Sequence, residues 1–174
     1  LVLYSVFVFS FQINDEITQW LTHGKDPAIR VTWTLKDIVE SWQIASVCLT
    51  GGEDAKYLRS VTNDPILVSP SIPTLSSSSP VLSVVELDLR IQPFSRAQLF
   101  WKTKTTDAFS ETYSIVFCTG FKQVFLIPIE ADVVQIRLDP SDRPNVVFQL
   151  NQVTISKYVT RPPDSHGLLR WILR

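Results

Sequence analysis

The stretch from Ala97 to Asp139 decides the fold: AQLFWKTKTTDAFSETYSIVFCTGFKQVFLIPIEADVVQIRLD. Polar turns divide it into four strand-like runs, and no helical period runs through it. In the first run Ala97, Leu99 and Trp101 share one face. Tyr113 to Cys118 is the second run, turned by Thr119-Gly120, and Gln123 to Glu130 and Val133 to Asp139 are the third and fourth. Side chains on a strand alternate between its two faces, so Ile136 and Leu138 read as core residues. The Asp139-Pro140 step reads as a turn, because aspartate bonds the backbone two residues on and proline presets the bend.

The same period extends outward. From Val81 to Ile91, Val85, Leu87, Leu89 and Ile91 lie on one face and Val84, Glu86, Asp88 and Arg90 on the other. That pattern is a strand packed on one side and wet on the other. Pro93 ends it. Ile29, Val31, Trp33 and Leu35 alternate with Arg30, Thr32 and Thr34 in a half-buried strand. Ser41 to Thr50, Tyr57 to Thr62 and Ile66 to Val68 add strand character, while Lys36 to Glu40 fits a turn or a short helix. Gly51-Gly52-Glu53-Asp54 and Asn63-Asp64-Pro65 are turns. Ser69 to Pro80, SPSIPTLSSSSP, cannot build a central strand and reads as a surface connection pinned by Ile72 and Leu75. In the last strand, Asn145 to Tyr158, Val146, Phe148 and Leu150 have one parity and Val153 and Ile155 the other. A straight strand cannot hold both sets on one face, so a β-bulge is expected near Asn151 and Gln152. The expected architecture is all-β: an antiparallel jelly-roll or Greek-key sandwich of about eight or nine strands.

The chain has 174 residues, enough for one domain with its own core. Residues 1–160 are expected to form that single domain, with 161–174 as a tail. Sixteen basic residues against seventeen acidic argue against a nucleic-acid partner. Two readings of Leu1 to Phe11, LVLYSVFVFSF, stay open: a buried first strand, or the end of a membrane segment, since spanning takes about 20 residues. The tail His166-Gly167-Leu168-Leu169-Arg170-Trp171-Ile172-Leu173-Arg174 reads as a short helix, either packed on the sandwich or lying at a membrane. Cys48 and Cys118 are two buried thiols or one disulfide between facing strands.

The residues point to no catalyst. His23 and His166 are far apart and near no paired carboxylate or cysteine, and no G-x-S-x-G elbow or phosphate-cradling glycine loop is present. Carboxylates gather at Glu53 and Asp54, at Asp107 and Glu111, and at Asp139 and Asp142. They read as turn residues. No metal and no cofactor are expected, although loop carboxylates leave a structural calcium open. Trp33, Trp42 and Trp101 lie in strands, where packing explains them, while the loop from Lys102 to Glu111 mixes charge and an aromatic ring beside Trp101. Trp101, Lys102, Asp107 and Phe109 are therefore the candidate ligand-binding residues: aromatics to stack on a sugar face, charged groups to bond its hydroxyls.

Ala97-Gln98-Leu99-Phe100-Trp101, Phe109-Ser110-Glu111, Ile136-Arg137-Leu138-Asp139-Pro140 and Val153-Thr154-Ile155 together resemble a galactose-binding-like jelly-roll domain, over roughly residues 28–158. The turn Thr62-Asn63-Asp64-Pro65 fits the same pattern. Such domains accompany bacterial glycosyltransferases and membrane proteins of cell-surface polysaccharide assembly. The resemblance implies a non-catalytic, carbohydrate-binding accessory domain of a larger cell-envelope protein, exposed outside the cytoplasm and membrane-associated through the chain ends. The family has no catalytic residues to carry over. A structural or protein-interaction sandwich with no sugar ligand is the alternative expectation, and a glycan-active enzyme the third.

Overall fold

The computed structural model describes residues 26–50, 57–76, 80–119 and 123–159. Among them are eleven strands and one α-helix. One sheet has six strands: β1 (Ile29–Thr34), β3 (Val47–Thr50), β4 (Tyr57–Ser60), β6 (Val81–Gln92), β9 (Gln123–Ile129) and β11 (Val147–Val159). Its order is β3-β4-β11-β6-β9, with β1 also paired to β11. The other has five: β2 (Gln43–Ala45), β5 (Ile66–Val68), β7 (Ser95–Thr103), β8 (Ser114–Thr119) and β10 (Val133–Asp139), in the order β2-β5-β10-β7-β8. Every described pairing is antiparallel. The chain passes repeatedly from one sheet to the other, which makes the sandwich a jelly-roll type rather than a meander.

The inward faces are those the alternation assigns. Leu87 lies opposite Val153 and Val85 opposite Ile155 in the β6–β11 ladder, and all four are fully buried. Leu99 and Leu138 meet them from the other sheet, opposite one another across β7 and β10. Each such side chain contributes about 1.5–3 kcal/mol by leaving water. The β11 register slips between Leu150 and Gln152, where the parity change requires a bulge. Phe148 and Leu150 before the slip and Val153 and Ile155 after it all reach the same core.

Two local features go beyond the alternation. Lys36 to Glu40 is helical: α1 spans Leu35–Ser41. Thr34 caps it through a reciprocal box, its hydroxyl accepting from the Asp37 amide while the Asp37 carboxylate accepts from the Thr34 amide at 2.8 Å. Ile38 packs beneath, and Trp33 and Trp42 meet edge to face at 5.4 Å. The strand character of Ser41 to Thr50 resolves into two strands, Gln43–Ala45 and Val47–Thr50, after the helix ends at Ser41. Ser46 sits at φ 58° between them, and that left-handed corner sends the chain from β2 in one sheet to β3 in the other. Cys48 on β3 and Cys118 on β8 belong to different sheets and are both free.

One end of the sandwich carries a charged brace. After the bulge Lys157 has inward parity, opposite Ser83, and is fully buried. Its Nζ donates to Asp132 Oδ1 at 2.5 Å and to the Pro73 carbonyl at 2.5 Å. The other Asp132 oxygen accepts from the Leu75 amide at 3.0 Å and lies 3.6 Å from Lys104 Nζ. Lys104 also donates to the Leu75 carbonyl at 3.0 Å. The proline- and serine-rich connection is thus held by backbone bonds as well as by Ile72, which is buried in the core. The expected first strand or membrane end at 1–11, the glycine turn at 51–54 and the tail 161–174 lie outside the described residues. Among the described residues no helix is long and apolar enough to cross a membrane.

Candidate functional site

The outer face of the five-stranded sheet carries an ordered set of polar and aromatic side chains. β7 turns Ala97, Leu99 and Trp101 toward the core, so Gln98, Phe100 and Lys102 face outward. β10 turns Ile136 and Leu138 inward, so Gln135, Arg137 and Asp139 face outward beside them. The registers set these into rows across the strands: Ser114 opposite Phe100, Phe100 opposite Arg137, Arg137 opposite Val68, and Val68 opposite Gln43. Asp139 pairs with Gln98, and Gln135 with Lys102. Strand positions on a sheet hold side chains more tightly than loop positions do.

Arg137 is the centre of this face. Its guanidinium grips Asp139 with two parallel bonds, Nε to Oδ1 at 2.7 Å and Nη2 to Oδ2 at 2.6 Å. The same group lies over the Phe100 ring, 4.9 Å from its centroid, and reaches Asp64 Oδ1 at 3.4 Å. Phe100 is buried under it, while Arg137 keeps 24% of its side-chain surface in solvent and Asp64 keeps 67%. Beside this, Gln98 donates through Nε2 to Glu111 Oε2 at 2.6 Å and to the Ser114 hydroxyl at 2.9 Å. Glu111 opens a 3-10 turn, Glu111–Tyr113, that leads straight into β8.

Burial pushes the Asp139 carboxyl above the usual carboxylate value, and the bonds from Arg137 pull against it. Asp64 and Glu111 add to the upward push as neighbouring negative charges. The bond to Asp139 in turn raises Arg137, with the fields of Asp64 and Glu111 acting the same way, so the guanidinium stays charged. Chemically the face offers fixed donors, fixed acceptors and a planar cation. Among the described residues no three His, Cys, Asp or Glu side chains gather as a metal site would require. Asp139 is taken by Arg137, and Asp142 accepts from the Ser95 hydroxyl at 2.9 Å, so these two carboxylates are engaged separately.

The four candidate residues fall into distinct places. Lys102 and Phe109 come together, with the Lys102 ammonium 4.4 Å from the centre of the Phe109 ring. Both are half-buried and adjoin the polar face. Trp101 has inward parity and packs against the core, yet stays half-exposed. Asp107 is exposed at the loop tip. Between them Thr103, Thr105 and Thr106 bond one another in a tight turn, the Thr103 amide donating to Thr106 Oγ1 at 2.7 Å. Sequence reasoning passed over Gln98, Phe100, Arg137 and Asp64. The signal was available for Arg137 and Asp139: two residues apart on a strand, they must share the face opposite Ile136 and Leu138.

No family model and no curated protein matches the sequence. Among solved structures, a Podospora anserina β-(1,4)-mannanase with an attached carbohydrate-binding module is similar at a TM-score of 0.45 and 13% identity, over 80% of this chain and 29% of that one. A carbohydrate-binding module from the Cellvibrio mixtus lichenase 5A, in complex with cellotriose, is similar at 0.42 and 14%, over 72% and 95%. A family 29 carbohydrate-binding module is similar at 0.47 and 5%, over 75% and 87%. This chain spans less than a third of the mannanase chain. At these scores and identities the likenesses carry nothing about ligand or activity.

Proposed function

We propose that this domain binds carbohydrate on the outer face of its five-stranded sheet and catalyses no reaction. The observation that carries the reading is the doubly bonded Arg137–Asp139 pair, held over Phe100 and flanked by the Gln98–Glu111–Ser114 set. Sugars present neighbouring hydroxyls that donate and accept, and planar guanidinium, carboxylate and amide groups answer two at a time. Their C–H faces pack on aromatic rings, and half-exposed Phe109 with Lys102 stands at the edge of this surface. Exposed Asp107 extends it along the loop, while Trp101 has inward parity and does not share this face. The core does not need Gln98, Glu111, Arg137 or Asp139, since Leu99, Ile136 and Leu138 fill the other face of the same strands.

In this proposal the domain is an accessory module of a larger, extracytoplasmic cell-envelope protein of polysaccharide assembly, reached by membrane through its chain ends. A second reading, a protein-interaction sandwich, is favoured by Tyr113 and Val116, both exposed beside edge strand β8. The test is calorimetric titration with a panel of oligosaccharides, on the wild type and on Arg137→Ala and Phe109→Ala variants that keep their circular dichroism. Saturable binding lost in both variants is the expected result. Binding that persists in both removes this face from the account.

A further inference from the structure

Resting on that reading, we propose that the face selects uncharged saccharides, and that Asp64 and Glu111 are the residues that turn anionic ones away. The cation most suited to a sugar carboxylate or sulfate, Arg137, is already spent. Both of its bonds to Asp139 are short, and its remaining edge points at Asp64. An anionic ligand would have to displace one of these carboxylates or sit among them.

The charges around the guanidinium all oppose such a ligand. Asp64 reaches it from the turn before β5, at 3.4 Å. Glu111 is fixed by Gln98 at 2.6 Å, and its field is felt at both Arg137 and Asp139. Asp107 is exposed on the adjoining loop. Against Asp64, Glu111, Asp107 and Asp139 the face has Arg137, Lys102 and, farther along β7, Arg96, and Lys102 is drawn over Phe109. Lys104, next along, is turned away to Leu75 and Asp132. The surface is therefore locally acidic although the whole chain carries a net charge of only −1.

A hydroxyl-bearing neutral ring meets no such penalty. It donates to Glu111 and Asp64 through its O–H groups and needs no free cation. Asp64 and Glu111 thus accept from a neutral ligand and repel an anionic one. Neither touches the core, and each sits at a position where an amide of the same shape could replace it.

The experiment compares an uncharged oligosaccharide, xylotriose, with an anionic one, trigalacturonic acid, by calorimetry at low and at physiological salt. The proteins are the wild type, Asp64→Asn, Glu111→Gln and the double variant, each checked by thermal melting. The wild type should favour the neutral trisaccharide. The double variant should raise the ratio of anionic to neutral affinity by roughly tenfold at low salt, and by less when salt screens the charges. Wild-type preference for trigalacturonic acid overturns the inference and leaves the binding reading standing, as does a ratio that the double variant does not move. If neither trisaccharide binds, and a wider panel of neutral and anionic glycans also fails, the binding reading falls and takes this inference with it.

Discussion

Two ion pairs in this sandwich have similar short geometry and opposite settings. Lys157 and Asp132 meet at 2.5 Å at one end of the core, with the lysine fully buried. Arg137 and Asp139 meet at 2.6 Å on the outer face of the five-stranded sheet, with the guanidinium partly in water. The first pair pins the connection that carries Pro73 and Leu75 and, through Lys104, the root of the 102–111 loop. The second ties in the exposed turn at Asp64 and presents its groups outward. A short distance alone does not assign a role: burial makes one pair a brace, and partial exposure leaves the other in reach of solvent.

Among single substitutions at the two pairs, Asp132→Asn should cost the most. It leaves the Lys157 ammonium buried without its counter-charge, and about 3–5 kcal/mol of stability should be lost. A urea-denaturation midpoint measures it. Pairing Lys157→Met with Asp132→Asn should recover most of that loss, because no lone charge then remains in the interior. A single variant as stable as the wild type would mean that the brace is not one.

Arg137→Ala sharpens the other half. Its stability cost should be smaller, about 1–2 kcal/mol, since water reaches the site and Asp139 can be solvated in part. Oligosaccharide affinity should fall by roughly tenfold or more, one lost charge-assisted bond being enough for that. Between a buried and a presented pair, Thr34→Ala sets the scale of a wholly local contact. Losing the cap of α1 should cost about 1 kcal/mol in the same urea assay.

The smallest expected signal is in the pH dependence. Burial lowers the Lys157 pKa from its usual 10.5, and Asp132 only partly offsets this. The unfolded chain therefore holds that proton to higher pH than the folded one. Stability should rise as pH climbs from the depressed value toward 10.5, and Lys157→Met should remove this part of the slope in thermal melts. At the acid end, Asp37 is held below its usual value by its bonds to Thr34. Its stabilising contribution is present above 3.8 and is lost as pH falls through the lower folded value.

Much of the fold was legible because alternation is a local signal. Val85 to Ile91 named the inner face of β6, and the parity change in β11 located the bulge between Leu150 and Gln152. The split at Ser46 was not legible, since nothing about a serine demands a positive φ. The helix could have been found: Thr34-Leu35-Lys36-Asp37 has the spacing of a capping box. Lys157 was harder. A lysine in a strand reads as outward-facing, and only the bulge turns it in, toward a partner 25 residues earlier in sequence. The site divides in the same way. Lys102 and Phe109 stood out as a polar loop with a ring, and they do meet. Arg137 stands in plain view within Ile136-Arg137-Leu138-Asp139-Pro140, but an Asp-Pro step reads as a turn, and the bonds of Asp139 to Arg137 depend on the strand rather than on that step.

The central claim is that the outer face of the five-stranded sheet is the ligand-binding surface. Backbone amide NMR of the isotope-labelled protein, titrated with a neutral oligosaccharide that calorimetry shows to bind, tests it most directly. The predicted result is shifts concentrated at Gln98, Phe100, Lys102, Phe109, Ser114 and Arg137. Shifts confined to the opposite surface, around Glu86 and Asp88 on β6 and Thr154 on β11, would contradict it.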